Sequence, residues 1–124
     1  MIVSSGLTSL IGQEPDLEVV GVARDGASVI RMAFELQPDI IIMDFGLPKM
    51  SGIETTGWIT AEMPHIKIIG LSMHSDIWIV KGMLAAGAKG YLLKDCAFEE
   101  LILAIRTVLA NDIYLSSFFK DAFN

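Results

Sequence analysis

The feature that most constrains this chain is an apolar run that does not alternate: Ile40-Ile41-Ile42-Met43, closed by Asp44. A strand with one wet face alternates apolar and polar residues. A β-branched run without alternation is buried on both faces, and such strands belong to parallel sheets covered by helices on each side. Residues 66–71, ending at Ser72, repeat the pattern, and residues 90–93, ending at Lys94, repeat it in shorter form. Residues 17–22 read as a further short strand, bounded by Pro15-Asp16 before and Asp25-Gly26 after.

Helical periodicity fills the intervals. Ile2, Val3, Leu7, Leu10 and Ile11 fall on one helical face, which Pro15 ends. Val29, Met32, Ala33 and Leu36 form a stripe within residues 26–36, and helical patterns follow over 52–62, 77–86 and 98–110. Ser75-Asp76 supplies N-cap chemistry, and Gly87 stands where a C-terminal cap belongs. Residues 111–124 show no clear period. The order α-β-α-β-α-β-α-β-α implies an α/β fold, a doubly wound parallel sheet with helices on both faces. Such a fold ordinarily begins with a strand, whereas the periodicity here begins with a helix.

Composition narrows the function. The 124 residues are one domain's worth, and 52% hydrophobic against 19% charged residues supports a packed core. Fifteen acidic residues against nine basic ones, a net charge of -6, argue against a surface for nucleic acid or an anionic membrane. The single cysteine, Cys96, excludes an internal disulfide and a cysteine-based zinc site. His65 and His74 lack the i,i+4 spacing of a helical metal site. No apolar run reaches the length of a membrane span and no signal-peptide pattern opens the chain, so a cytoplasmic protein without membrane contact is expected. Neither a P-loop nor G-x-G-x-x-G is present, because Gly21 and Gly26 are wrongly spaced.

Open α/β sheets bind ligands beyond the carboxyl ends of their strands. Asp44, Ser72 and Lys94 each directly follow an apolar strand, which brings a carboxylate, a hydroxyl and an ammonium to one sheet edge. A carboxylate so placed can attack a phosphoryl group. The ammonium and hydroxyl can then hold the phosphoryl oxygens by hydrogen bonds.

At these residues the sequence resembles the receiver domain of bacterial two-component response regulators. The subtype resembled is the LuxR type, whose receivers usually precede a helix-turn-helix DNA-binding domain. The stretches PDIIIMDFGLPKMSGIE, IIGLSMHSD and GAKGYLLKDCAFEELILAI carry the match, which runs over nearly the whole chain. It implies a flavodoxin-like receiver over residues 1–115, with 116–124 as a tail or the start of a linker. Asp44 would accept a phosphoryl group from a histidine kinase, Lys94 would pair with that group, and Ser72 would move to bond it. Tyr91 would follow Ser72 by changing rotamer. The carbonyl of Gly46 would join Asp44 as an Mg²⁺ ligand, Pro48 and Gly52 would shape the loop, and His74 would tune dephosphorylation. The chain would be a phosphoacceptor rather than a turnover enzyme.

The family also carries an acidic pair at the end of its first strand, and that pair holds Mg²⁺. Here Met1-Ile2-Val3 aligns just after it, so the first strand and its carboxylates are expected to be missing. Asp25 and Asp39 form no substitute pair. Weak or absent Mg²⁺ binding and poor phosphorylation follow. The open slot in the sheet would be closed by direct pairing of residues 17–22 with 40–43, by residues 113–115, or by exchange between chains, giving a homodimer or strand-exchanged oligomer. Ile77 and Trp78 open a helix as interface candidates.

Plainer readings stand beside these. Asp44 and Ser72 also suit helix caps, Tyr91 a core aromatic, His74 and His65 the surface, and Cys96 a buried inert thiol. Trp78 could lie flat over its own helix. At the level of function, the alternative is a phosphorylation-independent interaction or dimerisation module. A haloacid-dehalogenase-like phosphatase is disfavoured because Gly46 stands where its second aspartate would be.

Overall fold

The structure is a computed structural model that describes residues 2–3, 11, 13–23, 25–44, 52–72, 77–96 and 98–116. Its strands are β1 (Ile2–Val3), β2 (Gly21–Val22), β3 (Ile40–Asp44), β4 (Lys67–Ser72), β5 (Gly90–Leu93) and β6 (Tyr114–Leu115). Four helices have described bounds: α1 (Gly26–Leu36), α2 (Gly52–Glu62), α3 (Ile77–Ala85) and α4 (Phe98–Leu109). The strands form one sheet in the order β2-β1-β3-β4-β5-β6, and every pairing is parallel.

The unalternating run behaves as its composition requires. Ile41 and Met43 enter one apolar cluster, while Ile40 and Ile42 enter the other. β4 and β5 divide in the same way, with Ile68 and Tyr91 on the first face and Ile69, Leu71 and Leu92 on the second. Helices α1, α2 and α3 cover the first face with Val29, Ala33, Ile59, Val80 and Met83. Helix α4 covers the second with Leu101, Ala104, Ile105 and Val108, joined by Ile11. Burial on both faces is why a β-branched run, rather than an alternating one, encodes the centre of this sheet.

The start of the chain corrects two readings: Ile2 and Val3 are not helical, and the first strand is not missing but present as these two residues. Both residues lie in β1, in the centre of the sheet, with Ile2 in register with Gly21 on one side and Ile41 on the other. The slot between β2 and β3 would otherwise present two unpaired edges. Two apolar β-branched residues suit it better than they suit a helix face. Residues 17–22 therefore do not pair with 40–43, and only Gly21–Val22 of that stretch is strand. Residues 113–115 do not fill the centre either, because Tyr114–Leu115 adds to the outer edge of β5. With the slot held within the chain, the motive for exchanging strands between chains falls away. Ile11 is helical and fully buried, in keeping with the apolar face on which the sequence places it.

Helix ends follow local chemistry. Asp25 caps α1, its Oδ1 accepting the Ser28 N–H at 2.7 Å. Gln37 closes that helix in the left-handed region, φ 46°, and its N–H donates to the Ala33 carbonyl. Past α3, Gly87 has φ +110°, and a Cβ there would lie 2.8 Å from Thr60 Oγ1, so both backbone and space select glycine. Arg106 on α4 pairs with Asp16 and Glu14, tying that helix to the segment before β2. The hydrogen bond to Arg106 is the main reason the Asp16 carboxyl is held below its usual pKa.

Candidate phosphoacceptor edge

The sheet register brings the three strand-end residues together. Asp44 is in register with Leu71 on β4, and Ser72, one residue further on, is in register with Leu93 on β5. Lys94 follows Leu93 in an exposed turn. The three therefore step across neighbouring strands at the carboxyl edge, one residue later on each strand. Parallel neighbours lie about 4.8 Å apart. The four-carbon stem of a lysine reaches across such a spacing. Gly46, Pro48 and His74, the other candidates at this edge, lie outside the described residues, as does the Ser75-Asp76 cap. Gly52 is the buried first residue of α2.

Two clefts formed by described residues, of about 320 and 440 Å³, open at the other end of the sheet, beside Asp39 and beside Lys67 and Lys89. Asp44, Ser72 and Lys94 line neither. A phosphoryl group docking at a strand edge needs aligned charges rather than an enclosed volume.

Tyr91 is fully buried in the first cluster, so a core aromatic and an inward-facing switch residue share one position. Beside it lies a residue the sequence reading passed over. Gly70 is the register partner of Tyr91, and a Cβ at Gly70 would meet the Tyr91 ring at 2.8 Å. A glycine among the apolar residues of a buried strand was the available signal, since it marks a close approach of another group. Thr56 on α2 is a second such residue. Its buried hydroxyl lies 3.6 Å from Met43 Sδ and 3.5 Å from Met83 Sδ, linking the strand that ends in Asp44 to α3.

Trp78 is the most exposed of the large apolar side chains among the described residues, and it is paired with Lys81 of its own helix. It is 73% exposed, with the Lys81 ammonium 5.2 Å from its ring centroid. Ile77 is half-buried. His65 is exposed and bonded to Gln37 Oε1 at 2.7 Å. Cys96 is only half-buried, and burial, followed by the nearby Glu100 and Asp95 carboxylates, pushes its thiol pKa up. Because the thiolate is the nucleophile, iodoacetamide at neutral pH should modify Cys96 more slowly than it modifies the same residue in urea-unfolded protein. Equal rates would show that the folded environment does not suppress the thiolate.

Among the described residues, no group of three or more His, Cys, Asp or Glu could hold a metal ion. Asp25, after β2, is committed to capping α1, and Asp39 precedes β3 at the opposite end of the sheet. A hard cation such as Mg²⁺ takes several oxygen ligands in near-octahedral array. The described carboxylates do not assemble that array around Asp44.

Asp44, Ser72 and Lys94 thus stand at successive strand ends along one edge of a parallel sheet. Residues 1–106 match the response regulator receiver domain, and the chain belongs to that family. Its relatives place it with LuxR-type regulators. Transcriptional regulatory protein LnrK of Bacillus subtilis is 37% identical over 114 residues, covering 92% of this chain and 52% of the relative. Oxygen regulatory protein NreC of Staphylococcus epidermidis is 37% identical over 115 residues, covering 92% of this chain and 53% of the relative. The chain thus spans about half the length of these curated relatives. A LuxR-family two-component response regulator from Aurantimonas superimposes with a TM-score of 0.90 at 31% identity, covering 98% of this chain and 91% of that one. The response regulator domain of Thermotoga maritima CheB does so at 0.77 and 28%, covering 88% and 93%. A receiver is a signalling domain rather than a turnover enzyme. Among the described residues, no helix is long and apolar enough to cross a membrane.

Proposed function

We propose that this receiver accepts a phosphoryl group on Asp44 from a histidine kinase and passes the change to an output domain that binds DNA. The observation that carries the reading is the stagger of Asp44, Ser72 and Lys94 along the carboxyl edge. A carboxylate oxygen of Asp44 attacks phosphorus, the bond to the kinase imidazole breaks, and an acyl phosphate remains on the aspartate. The Lys94 ammonium offsets the charge that gathers on the phosphoryl oxygens, and the Ser72 hydroxyl donates to one of them. Nearly two negative charges are added at this edge. Ser72 and Tyr91 convert them into a change of the surface around β5 and α3. Gly46, Pro48, Gly52 and His74 shape and tune the pocket.

Receivers of this family bind Mg²⁺. We propose that this chain binds it weakly, since the described carboxylates leave Asp44 without acidic company, and no step above is routed through a metal. Residues 1–115 act as the receiver, with 116–124 as the start of a linker, and the protein works in the cytoplasm. Trp78, with Ile77 beside it, is the surface for self-association. The matched family and its relatives favour this reading over a phosphorylation-independent interaction module.

The test is intact-mass spectrometry after incubation with a small acyl-phosphate donor, with and without Mg²⁺. The wild-type chain should gain one phosphoryl group, and Asp44→Ala should gain none. An adduct of equal size and rate on Asp44→Ala would reject Asp44 as the acceptor.

A further inference from the structure

The strand β4 carries a glycine between its apolar residues Ile68, Ile69 and Leu71. Gly70 lies on β4 two residues before Ser72, and Tyr91 is its partner across the β4–β5 ladder. A Cβ built on Gly70 would lie 2.8 Å from both Cδ2 and Cε2 of the Tyr91 ring, and 3.2 Å from Cε of Met83 on α3. Real Cβ atoms do not approach ring carbons that closely. The ring has no room to retreat inward, because Tyr91 and Met83 are both fully buried among Met43, Ile68 and Val80. Glycine weakens a strand interior and gives it no side chain to pack. Here the missing side chain is filled by the neighbouring strand's aromatic ring.

We propose that Gly70 is the positioning residue for Tyr91: the absent side chain is the seat that holds the ring inward, and Met83 closes the seat from α3. The functional side of this inference rests on the reading of Tyr91 as the aromatic that follows Ser72. On that reading, Gly70 sets the balance between the inward and outward ring, and the same strand then delivers Ser72 to the phosphoryl group two residues later. A side chain at position 70 would bias the switch outward irrespective of phosphorylation.

The test is Gly70→Ala, examined alone and on a Tyr91→Ala background. With 3-fluorotyrosine incorporated, the chain gives fluorine signals from its two tyrosines, Tyr91 and Tyr114, and Tyr91→Ala identifies which is which. In Gly70→Ala the Tyr91 signal should move toward the position of an exposed tyrosine. Its nitration by tetranitromethane should speed up by about tenfold or more, the scale that overpacking a filled core sets, with Tyr114 as the internal reference. Gly70→Ala should also lower the denaturation midpoint, and it should cease to do so when Tyr91 is already alanine, because the added methyl then has space. An unmoved Tyr91 signal, or an equal midpoint loss on both backgrounds, would overturn the inference. Should Gly70→Ala alone fail to fold, recovery of a folded chain by adding Tyr91→Ala supports the seat, and failure to recover contradicts it. None of these readouts depends on Asp44 chemistry, so a chain that takes no phosphoryl group would defeat the proposed function and leave this inference standing.

Discussion

Ile41→Ala should destabilise the fold by roughly 2–5 kcal/mol, the cost of emptying a buried isoleucine site. Ile41 is fully buried and lies on the strand flanked by β1 and β4, in register with Ile2 on one side and Ile68 on the other. Both neighbours are held by ladder hydrogen bonds, so the strands cannot close on the space that the lost methyl groups leave. The loss is a large part of the roughly 5–15 kcal/mol that holds a domain of this size together. Urea denaturation should show a much lower midpoint with an unchanged slope. Leu103→Ala, on the exposed side of α4 at 55% exposure, should stay within about 0.5 kcal/mol of the wild type. Similar losses for the two variants would mean that the two-faced core is wrongly placed.

Lys94→Ala should slow phosphorylation from a small acyl-phosphate donor by roughly tenfold to a hundredfold, without changing the denaturation midpoint. Removing one preorganised donor from a site where charge develops costs about 10²–10³ in rate. Lys94 is in an exposed turn, where water screens its field, so the lower part of that range and below applies. The rate of mass gain reads the effect. Lys89→Ala is the control, because Lys89 precedes β5 at the opposite end of the sheet and should leave the rate as it is. Equal slowing by both would point to general electrostatic steering of the donor rather than to Lys94 at the site.

Much of the fold was legible because the strands are buried on both faces. Ile40 to Asp44 and Gly90 to Leu93 carry their assignment in an unbroken apolar run, and each ends on the polar residue that opens the candidate site. Helices α1 and α2 were legible from periodicity and from the breaks that follow them. What misled was the start of the chain. Ile2 and Val3 suit one helical face as well as they suit a strand, and two residues are too few for period to decide. Their place is settled by β2 and β3, which lie far along the chain and leave one slot between them. The short β6 was legible as a segment able to join the sheet but not in its place, because Tyr114–Leu115 lies against Gly90 and Tyr91 rather than in the slot.

The candidate site was legible to the extent that it is built from strand ends, since Asp44, Ser72 and Lys94 can be counted off the apolar runs. Gly70 was not, although its signal was present, because the reason for a glycine at that position is a ring on another strand. Trp78 could not be read either way from its helix alone. Its exposure depends on Val80 and Met83 taking the inner face of α3.

The most direct measurement is to find the phosphoryl group itself. The chain is incubated with acyl phosphate, reduced with borohydride, digested and sequenced by tandem mass spectrometry. Reduction converts an aspartyl phosphate into homoserine and leaves an ordinary carboxylate unchanged. The account predicts homoserine at position 44 and at no other aspartate. Homoserine elsewhere, or none at position 44 in a sample that remains folded, would contradict it.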